Sequence, residues 1–407
     1  KPIIVRSSSL LEDNFGAAFS GKYKSLFLPN TGTEEERLNA LMDAIAEVYA
    51  STFGADPIEY RKERGMLDFH EEMGVLIQEV VGKRIGDYYL PVCAGVAFSH
   101  NEFRWSPRIR REDGIVRLVP GLGTRAVDRV GNDYPTLISP NRPELRVNTT
   151  TEERIKYSPR YMDVINLKSG AIETVDAIKF LKEHWDKYPD IEKMISVHEE
   201  GHLSEPSTVM IRPENVDLVI TFAKLFDRTS FLKKMKKIMN LLKEKIGTPV
   251  DVEFAYDGEK IHILQCRPQS QSQERERKPI PKNIRGDRKL FSTTKYVTTG
   301  QIENIEYAVY VVPEVYAELD SREKMQKVAE VVGDLNEKLP KRKFILLGPG
   351  RWGSRGDIKL GVPVQYRDIN NTSLLIEVAK EKGDYSPELS FGTHFFQDLV
   401  EADIRYL

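Results

Sequence analysis

The sequence predicts a mixed α/β (α+β) protein, because segments with two different periodicities alternate along it. Short runs rich in β-branched residues, such as residues 92–99, are typical of buried strands. Longer stretches, such as residues 230–246, repeat apolar residues every three or four positions, which is typical of amphipathic helices. The 407 residues exceed the length of one ordinary domain, so two or three domains are expected.

Local signals place the elements of the first two thirds of the chain. Thr33 and Glu36 have the spacing of a capping box, and apolar residues at helical spacing follow them. The turn pair Asp257-Gly258 favours a β-hairpin between the two runs that flank it. Further predicted elements are a buried strand at 74–81, a helix at 174–185, and hairpin strands at 250–255 and 260–265.

A charged stretch at 269–289 interrupts this alternation. Residues 271–289 carry seven basic and three acidic side chains without an apolar period, which predicts an extended, solvated linker. A strip that attracts phosphate groups or a partner is the alternative. The linker divides the chain into a first domain at 1–268 and a smaller α/β domain at 290–407. The smaller domain has predicted strands at 307–312, 343–347 and 373–378 and a predicted helix at 321–338.

Charge and composition argue against several classes of protein. The 60 basic and 62 acidic side chains give a formal net charge of -2, so we expect no nucleic-acid partner. No run of about 18 apolar residues is present, so no membrane-spanning helix is expected. Cys93 and Cys266 match neither a zinc nor a disulfide spacing, which favours a reducing compartment and a cytoplasmic protein. The sequence has no Walker A motif, which excludes a P-loop NTPase.

The predicted hairpin carries polar residues on one side. Asp251 and Glu253 project to the same side of their strand because side chains repeat every two residues, and Gln265 and Arg267 do so on the partner strand. Carboxylate and amide oxygens suit Mg²⁺, and a guanidinium suits a phosphoryl group. The hairpin therefore predicts a platform for magnesium and phosphate. A surface hairpin whose charged residues face water is the alternative.

Two other loops are candidates for holding phosphate groups. Arg6 and the serines that follow it place a cation, hydroxyls and backbone amides in a loop after a strand. Gly121 and Gly123 permit a phosphate to approach the backbone closely. Serine-rich loops and glycine turns are common, so an ordinary loop and a plain turn are the alternatives.

Six motifs, taken in order, resemble the nucleotide-binding domain of the phosphoenolpyruvate synthase and pyruvate phosphate dikinase family. They fall within residues 2–268, at 5–13, 19–21, 77–81, 95–99, 121–123, and 250–254 with 263–268. The resemblance implies an ATP-grasp fold that binds ATP and Mg²⁺. It also implies that the β-phosphate of ATP passes to a histidine on a mobile domain or to a small acceptor, with AMP and phosphate as products.

The resemblance also assigns roles by position. Arg6 resembles the family's phosphate-contacting arginine and Arg267 its catalytic arginine, so both are predicted to act in catalysis. Glu253 and Gln265 resemble its metal ligands. The residues predicted to bind the nucleotide are Arg6, Gln78, Glu79, Val80, Val81, Gly121 and Gly123. Among these, residues 78–81 would face adenine through backbone hydrogen bonds and an apolar slot.

The sequence departs from the family pattern at several points. The glycine-rich segment with a lysine that precedes the Arg6 motif in the family is not present, and neither is the phosphohistidine domain. We therefore expect another chain or a missing segment to complete the nucleotide-binding domain. Thr124 stands where relatives often have an acidic residue. The phosphoryl acceptor stays open between pyruvate, a protein histidine, a sugar and a phenolic compound, and a non-catalytic ATP-binding regulatory or interaction module is the alternative function.

The predicted smaller domain adds two candidate residues. Arg351 lies in a glycine-rich stretch at 347–357 that is a candidate anion-binding loop, and a constrained turn packed over Trp352 is the alternative. His394 is a candidate phosphoacceptor or general base. A partly buried histidine with a backbone partner is the alternative for His394.

Overall fold

The computed structural model describes most of the chain and divides it into two compact units. The described residues are 1–9, 11, 23–63, 66–68, 72–102, 105–106, 108–127, 133–206, 216–269, 283–289, 301–353, 361–379, 389–390, 395–396, 399, 402 and 404–407. The first unit falls within 1–100, 113–128 and 133–270, and the second within 101–112 and 271–407. None of the described helices has both the length and the hydropathy needed to cross a membrane.

Strands and helices are mixed throughout the first unit, which confirms the predicted fold class. Its strands are β1 (Ile3–Ser9), β2 (Ser25–Leu28), β3 (Met73–Glu79), β4 (Lys83–Ile85), β5 (Tyr88–Leu90), β6 (Cys93–Phe98), β7 (Ile115–Pro120), β8 (Thr136–Ile138), β9 (Tyr161–Asn166), β10 (Ala171–Asp176), β11 (Ile195–Glu199), β12 (His202–Ser204), β13 (Asp217–Ile220), β14 (Val250–Tyr256) and β15 (Ile261–Pro268). Its helices are α1 (Glu34–Ala50), α2 (Ala55–Glu63), α3 (Thr124–Val127), α4 (Thr151–Lys156), α5 (Ala177–Glu183), α6 (Ile191–Met194), α7 (Ala223–Asp227) and α8 (Phe231–Ile246). The sheet orders are β2-β1-β3, β10-β9-β5-β4, β12-β11-β13 and β15-β14-β6-β7-β8.

The five-stranded sheet has one apolar and one polar face at β14, the strand next to its β15 edge. Val252 and Phe254 of β14 belong to the main core and are 0% exposed. Asp251 and Glu253 alternate with them and therefore face the opposite side of the sheet. Strand β6 is buried at every position, which confirms the buried strand predicted at 92–99. The sheet thus separates the core from a face that carries charged residues.

The predicted hairpin is observed as β14 and β15, and its register contains an irregularity. Glu253 stands opposite Gln265, and Phe254 stands opposite Ile263, so Leu264 is an extra residue on β15. Such an extra residue is a β-bulge, which interrupts the ladder locally and redirects the side chains beyond it. The two strands were predicted from the sequence, but the bulge was not.

The three-stranded sheet is covered by α1, whose start was predicted correctly. The Thr33 side chain accepts a hydrogen bond from the Glu36 N–H, and the Glu36 carboxylate accepts one from the Thr33 N–H at 2.7 Å. On the inner face of α1, Ala44 and Val48 pack against Val5 of β1. The helix therefore fixes β1, the central strand of this sheet, from one side.

Three sequence predictions in the first unit were wrong in part. Arg6 and the serines that follow it were predicted to lie in a loop after a strand, but they belong to β1, which continues to Ser9. The strand predicted as buried at 74–81 is observed as β3, but its Leu76 and Ile77 are 39% and 46% exposed, because β3 lies at the edge of its sheet. The helix predicted at 174–185 begins only at Ala177, because the preceding residues continue β10 in antiparallel pairing with β9. Asp176 ends that strand and caps α5 by accepting a hydrogen bond from the Lys179 N–H at 2.8 Å.

The helix predicted at 230–246 is confirmed as α8. Its apolar face includes Met235 and Met239, which are buried in the main core. Gly247 ends the helix in the left-handed conformation with φ of 80°. An apolar stripe and a terminal glycine were thus sufficient local signals for this element.

The second unit contains the strands and the helix that were predicted for it, and its strands form a parallel sheet. Its strands are β16 (Tyr307–Tyr310), β17 (Phe344–Pro349), β18 (Leu374–Val378) and β19 (Arg405–Tyr406), in that order across the sheet. Its helices are α9 (Pro313–Tyr316) and α10 (Arg322–Lys338). Each neighbouring pair of strands is parallel, so the carboxyl ends of β17 and β18 lie at the same edge. Residues 270–282 of the predicted linker lie outside the described residues, and the domain limits at 268 and 290 stay predictions.

Candidate functional site

Three residues from distant parts of the chain meet beside the hairpin. Arg6 comes from β1, whereas Glu253 and Gln265 stand opposite each other on β14 and β15. The Arg6 Nη2 donates to Glu253 Oε2 at 2.7 Å and to Gln265 Oε1 at 2.6 Å. The structure therefore brings together three of the residues that the sequence analysis had assigned to phosphate and metal.

This Arg6 cluster is largely shielded from solvent. The Arg6 and Glu253 side chains are 14% and 20% exposed. A charge-assisted hydrogen bond in such surroundings is stronger than one in water, because less solvent screens it. One guanidinium nitrogen is thus held by two oxygens that converge on a single point.

A second arginine lies two residues further along the hairpin. Arg267 stands opposite Asp251, and its Nε donates to Asp251 Oδ2 at 3.1 Å. Burial raises the pKa of the Asp251 carboxyl, while the Arg267 charge opposes this shift and the Glu253 charge adds to it. The other carboxylate oxygen, Oδ1, is buried and makes no hydrogen bond in the described part of the chain. Asp251 therefore orients Arg267 and keeps one oxygen unsatisfied.

The residues predicted to face adenine lie on β3 and just beyond it. Gln78 Nε2 donates to the Leu264 carbonyl at 3.1 Å, so the extra residue of the bulge connects β3 to the hairpin. The Val80 N–H donates to the Pro2 carbonyl at 2.9 Å, and its carbonyl accepts from the Tyr89 hydroxyl at 3.2 Å. The Val80 backbone groups thus have protein partners in this structure.

The adjoining residue Glu79 is engaged in a surface contact. Its carboxylate forms an ion pair with Lys1 at 2.8 Å, and both side chains are more than 60% exposed, at 67% and 64%. A pair so exposed contributes little to stability. Val81, which follows the strand, is half-buried. The predicted role of residues 78–81 in holding adenine stays a prediction.

The glycines at 121 and 123 pack a tight turn against β9. Gly121 has φ of 68°, and a Cβ added there would lie 2.6 Å from the Asp163 carbonyl oxygen. A Cβ at Gly123 would lie 3.3 Å from the Ala94 Cβ. The Leu122 N–H between them donates to the same Asp163 carbonyl at 3.0 Å. Close approach of neighbouring strands accounts for both glycines, and their contact with a nucleotide stays a prediction.

An acidic residue that sequence reasoning missed stands behind this turn. The Thr124 hydroxyl donates to Asp163 Oδ2 at 2.6 Å, and Arg125 pairs with Asp133 at 2.7 Å and with Asp163 at 3.4 Å. Burial raises the pKa of Asp133, with hydrogen bonds from the Arg160 N–H and Arg125 opposing it. Thr124, at a position where the resemblance led us to expect an acidic residue, therefore donates to an acidic side chain supplied by β9.

A further arginine, Arg117, was also not predicted from the sequence. Val96 of β6 pairs with Glu253 on one side and with Arg117 of β7 on the other, so the three share a face. Arg117 is 2% exposed, and its charge lowers the pKa of Asp251 against the effect of burial. The only sequence signal was one charge inside the apolar run of residues 115–119. The register of β6 with both β7 and β14 is needed to place Arg117 on this face.

Comparison with known proteins identifies the family. Residues 1–288 match the family described as pyruvate phosphate dikinase, AMP/ATP-binding domain. The chain belongs to this family. The resemblance found in the sequence is thereby confirmed, and the residues gathered beside the hairpin lie within the matched range.

A curated relative supports the same assignment at lower similarity. The chain is 25% identical over 268 residues to the "Uncharacterized phosphotransferase YvkC" of Bacillus subtilis (strain 168). The aligned segment covers 66% of this chain and spans 24% of that protein, about a quarter of its length. The family description names an AMP/ATP-binding domain, and the name of this relative describes a phosphotransferase.

The residues of this pyruvate phosphate dikinase family member fit a magnesium ion bound together with a nucleotide. No group of three or more His, Cys, Asp and Glu side chains gathers at one point within the described residues. Mg²⁺ in nucleotide sites needs no such group, because one or two protein ligands and phosphate oxygens suffice. Glu253 and Gln265 supply converging oxygens, and the buried Asp251 Oδ1 is an unsatisfied oxygen nearby. The donor set is therefore suitable for this metal.

The remaining candidates belong to the second unit, beyond the family match. His394 lies outside the described residues. Arg351 follows β17 and is 5% exposed, near the carboxylate of Glu377 at the end of β18. Glu377 accepts hydrogen bonds from the Trp352 N–H at 2.9 Å, the Ser390 N–H and hydroxyl at 2.5 Å each, and the Tyr406 hydroxyl at 2.7 Å. Burial raises the pKa of Glu377 to about 7, and these hydrogen bonds limit the shift. The buried carboxylate joins three separate segments of this unit.

Proposed function

We propose that the first domain, residues 1–268, is an ATP-grasp nucleotide-binding domain that transfers the β-phosphate of ATP to a histidine or a small acceptor. AMP leaves when the bond between the α- and β-phosphates is broken, and water releases the γ-phosphate as inorganic phosphate. The observation that carries this proposal is the meeting of Arg6, Glu253 and Gln265 beside the hairpin. Membership of a family of AMP/ATP-binding domains supports it.

The proposed roles follow from charge and position. Glu253 and Gln265 hold Mg²⁺, which when bound neutralises charge on the phosphate oxygens. Arg6 contacts the phosphates from β1. Arg267, oriented by Asp251, stabilises the charge on the phosphoryl group during transfer. Positioning and charge neutralisation supply most of the catalysis, because phosphoryl transfer needs little covalent participation by the protein.

Residues outside the Arg6 cluster complete the proposed nucleotide-binding site. Residues 78–81 hold adenine against the apolar surroundings of Val80, which is 7% exposed and packs with Tyr89 and Leu122. The hydrogen bond from Gln78 to Leu264 connects this segment to the metal-binding hairpin. The turn that contains Gly121 and Gly123 lies beside Ala94 of β6, and its backbone is proposed to contact the phosphate chain.

The proposed organisation extends beyond these residues. A charged linker at 269–289 leads to a smaller α/β domain at 290–407, in which Arg351 and His394 are the candidate anion-binding and phosphate-accepting residues. The protein is proposed to act in the cytoplasm, without nucleic acid or membrane as a partner.

A non-catalytic ATP-binding regulatory module is the second candidate. The closed contact of Arg6 with Glu253 and Gln265 favours it, because the groups that would act on phosphate are bound to one another. In this reading, nucleotide binding opens the cluster and changes an interaction surface without breaking a phosphate bond. The two candidates differ in whether ATP is consumed.

The deciding experiment incubates the protein with Mg²⁺ and ATP labelled at the β-phosphate and then separates the nucleotides. AMP, with label on the protein or an added acceptor, is the expected result for the dikinase reaction. ADP as the sole product would contradict it and indicate ordinary γ-phosphate transfer. Intact ATP that raises the thermal unfolding temperature would instead support the regulatory module. Mapping of labelled protein then tests His394 as the acceptor.

A further inference from the structure

The Arg6 contact places a cation at the point where the proposed metal ligands converge. A guanidinium and Mg²⁺ compete for the same partners, because the guanidinium donates hydrogen bonds to carboxylate and amide oxygens and Mg²⁺ coordinates the same oxygens. The Arg6 Nη2 lies 2.7 Å from Glu253 Oε2 and 2.6 Å from Gln265 Oε1. In this structure the arginine therefore makes the contacts that the metal would make.

The nitrogen and a metal ion cannot hold these oxygens together. Mg²⁺ lies about 2.1 Å from its oxygen ligands, so it would occupy almost the same position between the two side chains. A dication beside the guanidinium would also be repelled, since only 14% of the Arg6 side chain is exposed and solvent screens the charges weakly. Metal binding thus requires the Arg6 head group to leave.

The backbone of Arg6 is fixed, so only its side chain can move. Arg6 lies in the central strand β1, where it pairs with Ser25 of β2 and with Leu76 of β3. The long, flexible side chain can change rotamer without disturbing that pairing. The phosphates of a nucleotide provide the alternative anionic partner for the released guanidinium.

We propose that Arg6 is a specificity-determining residue that blocks Glu253 and Gln265 until a nucleotide arrives, so that the metal and the nucleotide bind as a unit. Free Mg²⁺ must displace the Arg6 guanidinium from Glu253 and Gln265. A metal–nucleotide complex instead brings phosphates, which bind the guanidinium in their place. By thermodynamic linkage, the nucleotide raises metal affinity by the same factor by which the metal raises nucleotide affinity. This inference rests on the proposed nucleotide site, but its central contact can be tested with metal alone.

The test measures Mn²⁺ binding from the electron paramagnetic resonance signal of the free ion, with and without α,β-methylene-ATP. Arg6→Gln should bind Mn²⁺ alone about tenfold more tightly than the unmodified protein, a factor in the usual range of coupling between sites. The nucleotide analogue should strengthen Mn²⁺ binding strongly in the unmodified protein and much less in Arg6→Gln. Arg6→Lys, which keeps a cation, should behave like the unmodified protein.

A matched control removes a similar ion pair elsewhere in the same unit. Arg146 pairs with Asp227 at 2.6 Å, and Arg146→Gln should leave Mn²⁺ binding unchanged. Equal Mn²⁺ affinities of Arg6→Gln and the unmodified protein, or no Mn²⁺ binding by any variant, would overturn the inference. Tighter Mn²⁺ binding by Arg6→Gln without any response to the nucleotide would support the block by Arg6 and contradict the proposed nucleotide function instead.

Discussion

Asp251 and Arg267 face each other across the hairpin, with the Arg267 Nε donating to the Asp251 carboxylate at 3.1 Å. Their side chains are only 11% and 15% exposed. A pair with so little solvent around it is costly to desolvate, so its stabilising effect on the fold is small. The pair has a larger effect on the orientation of Arg267, because the Asp251 carboxylate holds the guanidinium in one orientation. Both residues are therefore expected to matter more for catalysis than for folding.

Arg267→Ala should abolish most of the phosphoryl transfer. Loss of one preorganised charge donor costs about 3 kcal/mol in the transition state, or roughly a hundredfold in kcat. The measurement is AMP formation from ATP under saturating nucleotide. Arg228→Ala, which removes an arginine that is 66% exposed, is the control and should retain the full rate. An unchanged rate for Arg267→Ala would refute the assignment of this residue as catalytic.

Asp251→Asn should lower kcat and leave the affinity for ATP nearly unchanged. The amide keeps the shape of the carboxylate but loses the charge that orients Arg267, a change worth about 1–3 kcal/mol for a hydrogen bond with a charged group. Steady-state kinetics give kcat and KM separately. A rise in KM with constant kcat would show instead that Asp251 contributes to binding ATP.

Gly121→Ala should destabilise the first unit by more than Gly247→Ala does. Both glycines have positive φ, at 68° and 80°. Alanine at either position would therefore adopt a backbone conformation that costs about 1–2 kcal/mol. Only at Gly121 would the new Cβ also approach a backbone oxygen, at 2.6 Å, whereas nothing lies within 4 Å at Gly247. Urea unfolding of the two variants isolates the steric effect, and equal losses of stability would contradict it.

The stability of the second unit should fall as pH rises through the range where Glu377 titrates. Burial raises the pKa of Glu377 to about 7 from its ordinary value of 4.5, so the folded state binds the proton more tightly than the unfolded state. The stabilisation is complete below the unfolded pKa and is lost as pH rises to about 7, by roughly 3 kcal/mol in total. Urea unfolding at a series of pH values measures this loss.

Glu377→Gln isolates that titration, because glutamine stays neutral. The unmodified protein should exceed this variant in stability near pH 5, and the difference should shrink by about 3 kcal/mol near pH 8. Other titrating groups affect both proteins equally and cancel in the comparison. A difference that stays constant with pH would mean that Glu377 does not titrate in this range.

Local patterns predicted the elements that local interactions determine. The capping box at Thr33 and Glu36 and the terminal glycine at 247 are contacts between near neighbours, and both were predicted correctly. The start of α5 was not, because the pairing of β10 with β9 outweighs helical spacing at residues 174–176. The exposure of β3 depends on its edge position, which its own sequence does not reveal.

The candidate site shows the same division. Alternation within the hairpin placed Glu253 near Gln265, but Arg6 lies 247 residues before Glu253, and no local pattern predicted that it would contact them. Arg117 reaches the same sheet face through β6, a relationship that exists only in the folded register. Side-chain chemistry could thus be anticipated from sequence, whereas convergence across the sheet could not.

The extra residue Leu264 decides which side of the sheet Gln265 and Arg267 face. A ladder continued regularly from the turn would set Gln265 opposite Val252 and Arg267 opposite Val250, which are both core residues with 0% exposure. The observed register instead sets them opposite Glu253 and Asp251. The number of residues in β15 is therefore as critical as their identity. When relatives are aligned, a gap moved by one position here would exchange residues of the polar face for core residues, and a one-residue insertion would turn Gln265 and Arg267 toward the core without changing their identity.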